Sequence, residues 1–212
     1  MTLPGMISPS RVYACTRFRI RRTKLLARED YLRIMQMSLP GVVTYLGRLE
    51  DYQEIMGLVG NYTDAQLIEE VANRNLARSF RHAMVIATGE LYTLASEYLT
   101  RWDIANVMAI LRGTTFDLPR HHIRDLLVPA GELDRTLLDH LLELSTCDEV
   151  FDALVDWRLY PVLEEYYQIC DERGAFARIE NRLYMSYYGG LLDLIAAGCS
   201  GCDELNTYLR FE

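Results

Sequence analysis

Long apolar runs are missing from this chain: nowhere do eighteen uncharged apolar residues stand together, so no segment reads as a bilayer-crossing helix. Proline and glycine are sparse, 6 and 13 in 212 residues, which leaves little room for a low-complexity linker. The first residues, Met1 to Pro9, carry neither a basic region nor a long apolar stretch, so a secretory signal is not expected. Alternating strand patterns and Asn-Gly or Asp-Gly hairpin turns are absent, which argues against a sheet. Neither a phosphate loop nor a Gly-x-Ser-x-Gly elbow is present. His121 and His122 follow a proline and have no third histidine at ligand spacing. The 5 cysteines form an odd set without framework spacing, which points to a reducing compartment. Cys199-Ser200-Gly201-Cys202 is a lone C-x-x-C pair. A structural zinc site needs four ligands, and a thioredoxin-type site needs a preceding strand, so a small-residue turn between helices is the simpler reading.

What is present is charge and helical periodicity. The net charge of −8 excludes adhesion to nucleic acid by bulk electrostatics. The distribution is uneven: Arg11, Arg17, Arg19, Arg21, Arg22, Lys24 and Arg28 gather near the start, and residues 132–172 are mostly acidic. A basic helix of this kind serves as a solvated face, a contact for an acidic protein, or a nucleic-acid or lipid patch. Phe80, Met84, Ala87, Leu91, Leu94 and Tyr98 alternate four and three apart, which predicts one apolar stripe on one long helix. Ile104, Val107, Met108 and Leu111 do the same on the next. The strand-like Val42-Val43-Thr44-Tyr45 is short and lies in helical context.

The pattern also repeats. A shift of 107 places Leu26 on Leu133, Ile34 on Leu141, Ser38 on Ser145, Leu76 on Leu183 and Met84 on Leu191. Near the end, Tyr208-Leu209-Arg210-Phe211-Glu212 begins to restate Tyr98-Leu99-Thr100-Arg101-Trp102-Asp103, with Trp102 falling on Phe211 at a shift of 109. The expectation is an all-α protein of repeated helical units about 107 residues long, residues 1–115 and an incomplete 116–212. Gly113, as a left-handed cap, and Pro119 mark the division. Thr100 and Asp103 stand in capping-box spacing, which predicts a helix break just before Arg101.

Asp103 and Asn106 are three apart on one helical face, flanked by Arg101 and Arg112. As chemistry, a carboxylate and an amide could hold a cation or place a water. Yet one of each is too few for a calcium or magnesium site, and general acid–base work lacks a partner. As structure, Asp103 caps its own helix and pairs with an arginine, and Trp102 fills the core. The structural reading is preferred, with no catalytic or metal-binding residue expected.

The segment Arg101-Trp102-Asp103-Ile104-x-Asn106-Val107-x-x-Ile110-Leu111-Arg112-Gly113 resembles the hallmark of the V-type ATPase d subunit family, whose archaeal and bacterial counterpart is the C subunit of A/V-type ATP synthases. Val12-Tyr13-Ala14 through Arg17, Arg19, Arg21 and Lys24-Leu25-Leu26 resemble that family's opening helix, and the Leu76 to Tyr98 stretch resembles the helix leading into the motif. The similarity runs over essentially the whole chain. It implies three helical repeats around a pseudo-threefold axis, forming a funnel. It also implies a non-catalytic rotor part, peripheral on the cytoplasmic face of the membrane, between the proteolipid ring and the central stalk. Such a part couples proton or sodium transport to ATP synthesis or hydrolysis. No cofactor, small-molecule substrate or nucleic acid is implied. Arg101, Trp102, Asp103, Asn106, Arg112 and Gly113 are then structural or interface positions.

The family pattern would continue past Glu212, so this is expected to be a fragment, a split subunit or a shortened relative, with a frayed end and an exposed apolar patch. Two other readings remain open: a helical nucleic-acid-binding module built on the Arg17 to Arg28 cluster, and a C-x-x-C metal or redox protein.

Overall fold

Thr63 opens the longest helix of the first half: its amide donates to Gln66 Oε1 at 3.3 Å, so the first turn's orphan donors are partly met from the side chain three residues on. That helix, α5, spans Asp64–Ile86 in the computed structural model of the protein, which describes residues 9–167 and 174–198. Before it come α1 (Pro9–Arg22), α2 (Arg28–Ile34), α3 (Leu39–Leu46), a 3-10 turn over Glu50–Tyr52 and α4 (Ile55–Leu58). After it come α6 (Glu90–Thr115), α7 (Arg120–Leu126), α8 (Arg135–Leu141), α9 (Cys147–Ala153), α10 (Tyr160–Glu164) and α11 (Ala175–Ala196). The described residues contain no named strand, only an isolated bridge between Val59 and Tyr62. The all-α expectation is therefore met, and the strand-like valines at 42 and 43 lie within α3.

The long helix expected over the Phe80 to Tyr98 stripe is two helices. It breaks at Gly89, whose φ of +57° and ψ of −133° suit glycine alone. Conversely, the break expected at Thr100 does not occur, and α6 runs through it for 26 residues. The Thr100 hydroxyl donates within the helix, to Ser96 O at 3.1 Å, so the capping-box spacing has no helix start to serve. Gly189 and Gly190 lie in the interior of α11.

The chain divides into two compact units between Ala87 and Thr88. In the first, Val42, Val43 and Leu46 of α3 pack with Ile55, Leu67 and Val71. In the second, α6 supplies the centre: Ile104, Val107, Ile110 and Leu111 are completely buried, and α11 packs along the helix with Ile179, Leu183 and Leu191. The repeat division drawn at 115/116 lies inside this second unit, since α6 takes its core partners from the residues that follow it. Cys199 to Cys202 and the restated motif at Tyr208 to Glu212 lie outside the described residues.

Candidate functional site on the motif helix

Asp103, Asn106, Ile110 and Gly113 recur three and four apart and so share one stripe of α6. Along this stripe runs the segment from Ile123 in α7 to Leu133, fastened at three points in antiparallel order. At Gly113 a Cβ would meet Ile123 Cδ1 at 2.2 Å, so the missing side chain lets α7 close onto α6. Two turns up, the Asn106 side chain replaces a missing peptide partner. Its Nδ2 donates to Val128 O at 2.8 Å, and Val128 N donates to its Oδ1 at 2.9 Å. At the far end Asp103 accepts from Glu132 N at 2.8 Å and from Leu133 N at 3.1 Å, one amide to each carboxylate oxygen. Gly131 passes directly over that carboxylate, where a Cβ would lie 2.2 Å from Oδ2.

The physical reason is backbone accounting. Leu127, Val128, Ala130 and Leu133 are buried, yet they stand in irregular structure between α7 and α8. Buried peptide groups outside helices need partners, and here the partners are side chains projected from α6. Asp103 and Asn106 are 1% and 2% exposed, which suits groups whose polar atoms are already satisfied. Their chemistry is thereby committed to holding a loop. Among the described residues no group of three or more histidine, cysteine, aspartate or glutamate side chains is placed to hold a metal ion.

The description of the matching family profile is "ATP synthase (C/AC39) subunit", and the match covers residues 14–212. Longer relatives agree. The A-type ATP synthase C subunit of Methanosarcina acetivorans is 34% identical over 199 residues, 94% of this chain and 53% of the relative. That of Methanococcoides burtonii is 34% identical over 184 residues, covering 87% of this chain and 50% of the relative. That of Haloferax volcanii is 29% identical over 211 residues, all of this chain and 59% of the relative. The chain belongs to the ATP synthase (C/AC39) subunit family. It spans about half the length of the curated relatives it matches.

The remaining motif positions of this family member take their own places. Arg112 reaches across to α11, Nη2 to Glu180 Oε2 at 2.6 Å, joining the two long helices of the second unit. Arg101 lies with its guanidinium carbon 5.9 Å from the Tyr98 ring centroid. Trp102 is half-buried on the same helix. Two expectations are corrected here. Asp103 caps the amides of residues 132 and 133 rather than its own helix. Gly113 is not the terminating residue either. The left-handed position falls on Asp117 (φ +48°), where Leu118 N bonds Gly113 O at 2.9 Å and Asp117 N bonds Thr114 O at 3.3 Å, the two bonds of a Schellman cap.

Burial raises the Asp103 carboxyl to about 6, overriding the two amides that favour the charged form; the charge of Glu132 adds to the rise and Arg158 opposes it. Arg158, between α9 and α10, bonds both Glu97 and the Thr100 hydroxyl one turn above Asp103. Sequence reasoning missed Arg158, Gly131 and Glu180, which carry no local motif. Only the glycine in Val128-Pro129-Ala130-Gly131 offered a signal, as a point of close approach.

Proposed function

We propose that this chain is a non-catalytic adaptor in the rotor of an A/V-type rotary ATPase, linking the membrane proteolipid ring to the central stalk. In that role it carries torque between ion transport, of protons or sodium, and ATP synthesis or hydrolysis. The observation that carries the reading is the family match over residues 14–212, with relatives named as the C subunit of A-type ATP synthases. The motif's geometry supports it, since every polar group of Asp103 and Asn106 is taken up in fastening one segment to another, as a mechanical part requires. The residues at 101, 102, 103, 106, 112 and 113 then act as framework or interface positions, and residues 1–115 and 116–212 are successive repeats. No helix among the described residues is long and apolar enough to cross a membrane; in this reading the chain is peripheral, on the cytoplasmic side.

The test is assembly. The chain, extended to the length of its relatives where a continuation exists, is co-expressed with ring and stalk proteins of an A-type ATP synthase, and the complex is isolated by a tag on the stalk. Co-purification with ring and stalk is the expected result. Binding to neither, with retardation of an oligonucleotide at low salt instead, would replace this reading by the nucleic-acid module.

A further inference from the structure

The first unit contains a cavity of about 280 Å³ between α1, α5 and the Glu50–Tyr52 turn. One wall is a single face of α1 and its following turn, with Phe18, Arg21, Arg22 and Leu25 three and four apart. The opposite wall is α5, where Asn75, Ser79 and Ala83 recur every four residues beside Phe80. Asp51 and Tyr52 line it from the Glu50–Tyr52 turn. The lining therefore joins aromatic and aliphatic groups to three cations, Arg21, Arg22 and Lys24, against the single carboxylate of Asp51. Its shape is set in advance: Asn75 Nδ2 donates to Asp51 O at 2.8 Å, and Arg78 Nη2 pairs with Glu54 Oε1 at 2.5 Å. Lys24 pairs with Glu50 at 3.0 Å, but both side chains are largely exposed, so an incoming carboxylate can replace that partner at little cost.

We propose that this cavity docks an acidic peptide segment of a partner protein, seating one aromatic or leucine side chain between α1 and α5 with flanking carboxylates on Arg21, Arg22 and Lys24. The volume lies just below the usual range for ligand pockets, roughly 300 to 1,000 Å³, and suits a single anchor. Interfaces concentrate affinity in such anchors, and arginine rims meet carboxylates bidentately. A bilayer fits worse at this cavity, because its apolar groups line a hollow, and the apolar side chains that protrude from α1, Val12, Tyr13 and Ile20, lie outside it. A nucleic-acid strand fits worse at this cavity as well, because only Arg21, Arg22 and Lys24 line it, too few cations to track a phosphate backbone. The proposal does not rest on the rotor reading and stands or falls separately from it.

The experiment pans a random-flank peptide library with a fixed central Phe, Tyr, Trp or Leu against the full chain. Enrichment of Asp and Glu beside the centre is expected. A selected peptide, labelled and followed by fluorescence polarisation, is expected to weaken about tenfold or more when its anchor becomes alanine. It is expected to weaken similarly on Ser79→Trp, which fills the cavity without altering charge. Panning the double variant Arg21→Glu, Arg22→Glu is expected to reverse the preference to Lys and Arg, a result that loss of folding cannot produce. Flanks with no acidic bias, binding indifferent to the anchor, or displacement by phosphatidylserine vesicles or an oligonucleotide but not by unlabelled peptide would each overturn the proposal.

Discussion

Gly131 crosses α6 so closely that its hydrogen stands where any side chain would strike the Asp103 carboxylate. Replacing it with alanine forces either the loop or the carboxylate to move, and movement breaks the amide bonds at 132 and 133. Gly131→Ala is expected to lower unfolding stability by about 2 kcal/mol or more, measured by urea denaturation. In the Asp103→Ala background the same change should cost much less, since the clash has gone; equal costs in both backgrounds would show that the contact is unimportant. Asp103 also leaves a signature in pH. Its folded value near 6 lies above the ordinary 3.8, so between these limits the folded state holds the proton more tightly. Stability from this group is present at low pH and is lost as pH rises from about 4 to about 6, by roughly 3 kcal/mol in all. Subtracting the curve for Asp103→Asn, which cannot titrate there, isolates the effect. A flat difference from pH 4 to 7 would contradict it.

At the scale of elements, the glycines sort by what lies against them. Gly113 has Ile123 where its Cβ would be, whereas Gly189 faces nothing within 4 Å. Gly113→Ala is therefore expected to destabilise by about 1–3 kcal/mol. Gly189→Ala, in the interior of α11, should stabilise by about 0.5–1 kcal/mol through helix propensity. Thermal melts of the two variants should move in opposite directions. The same elements show what a sequence can reveal. Helical content is legible because the apolar positions keep the helical period from Phe80 onward. The break is misplaced because Thr100 and Asp103 satisfy a local pattern whose atoms are used elsewhere, by Ser96 and Arg158 and by amides some thirty residues downstream. Gly89 is the better signal, since a glycine between helical stretches supplies a backbone state that other residues resist. The six motif residues stand out in the sequence, but their partners do not. Asn106 recognises Val128 through its main chain, and a main-chain partner leaves no mark in residue type.

At the scale of the whole molecule, two ways of dividing the chain compete. Recurrence of sequence sets α6 at the end of the first repeat, whereas its buried contacts assign it to residues after 115. Ile104, Val107, Met108, Ile110 and Leu111 are at most 1% exposed. At about 1.5–3 kcal/mol for each fully buried side chain, these five contribute on the order of 10 kcal/mol, comparable to the net stability of an entire domain. A cut at 115/116 removes all of that from the residues left behind, together with the carboxylate and amide that satisfy the 128–133 backbone. A cut at 87/88 removes none of it, because Gly89 already ends the run between α5 and α6. A piece spanning residues 88–212 is therefore expected to be helical by circular dichroism and to unfold cooperatively in urea. A piece spanning 116–212 should show weak helicity and no sharp transition. Were the shorter piece as cooperative as the longer, α6 would be a cover on a core that stands without it, and the fastening at Asp103, Asn106 and Gly113 would lose its structural purpose.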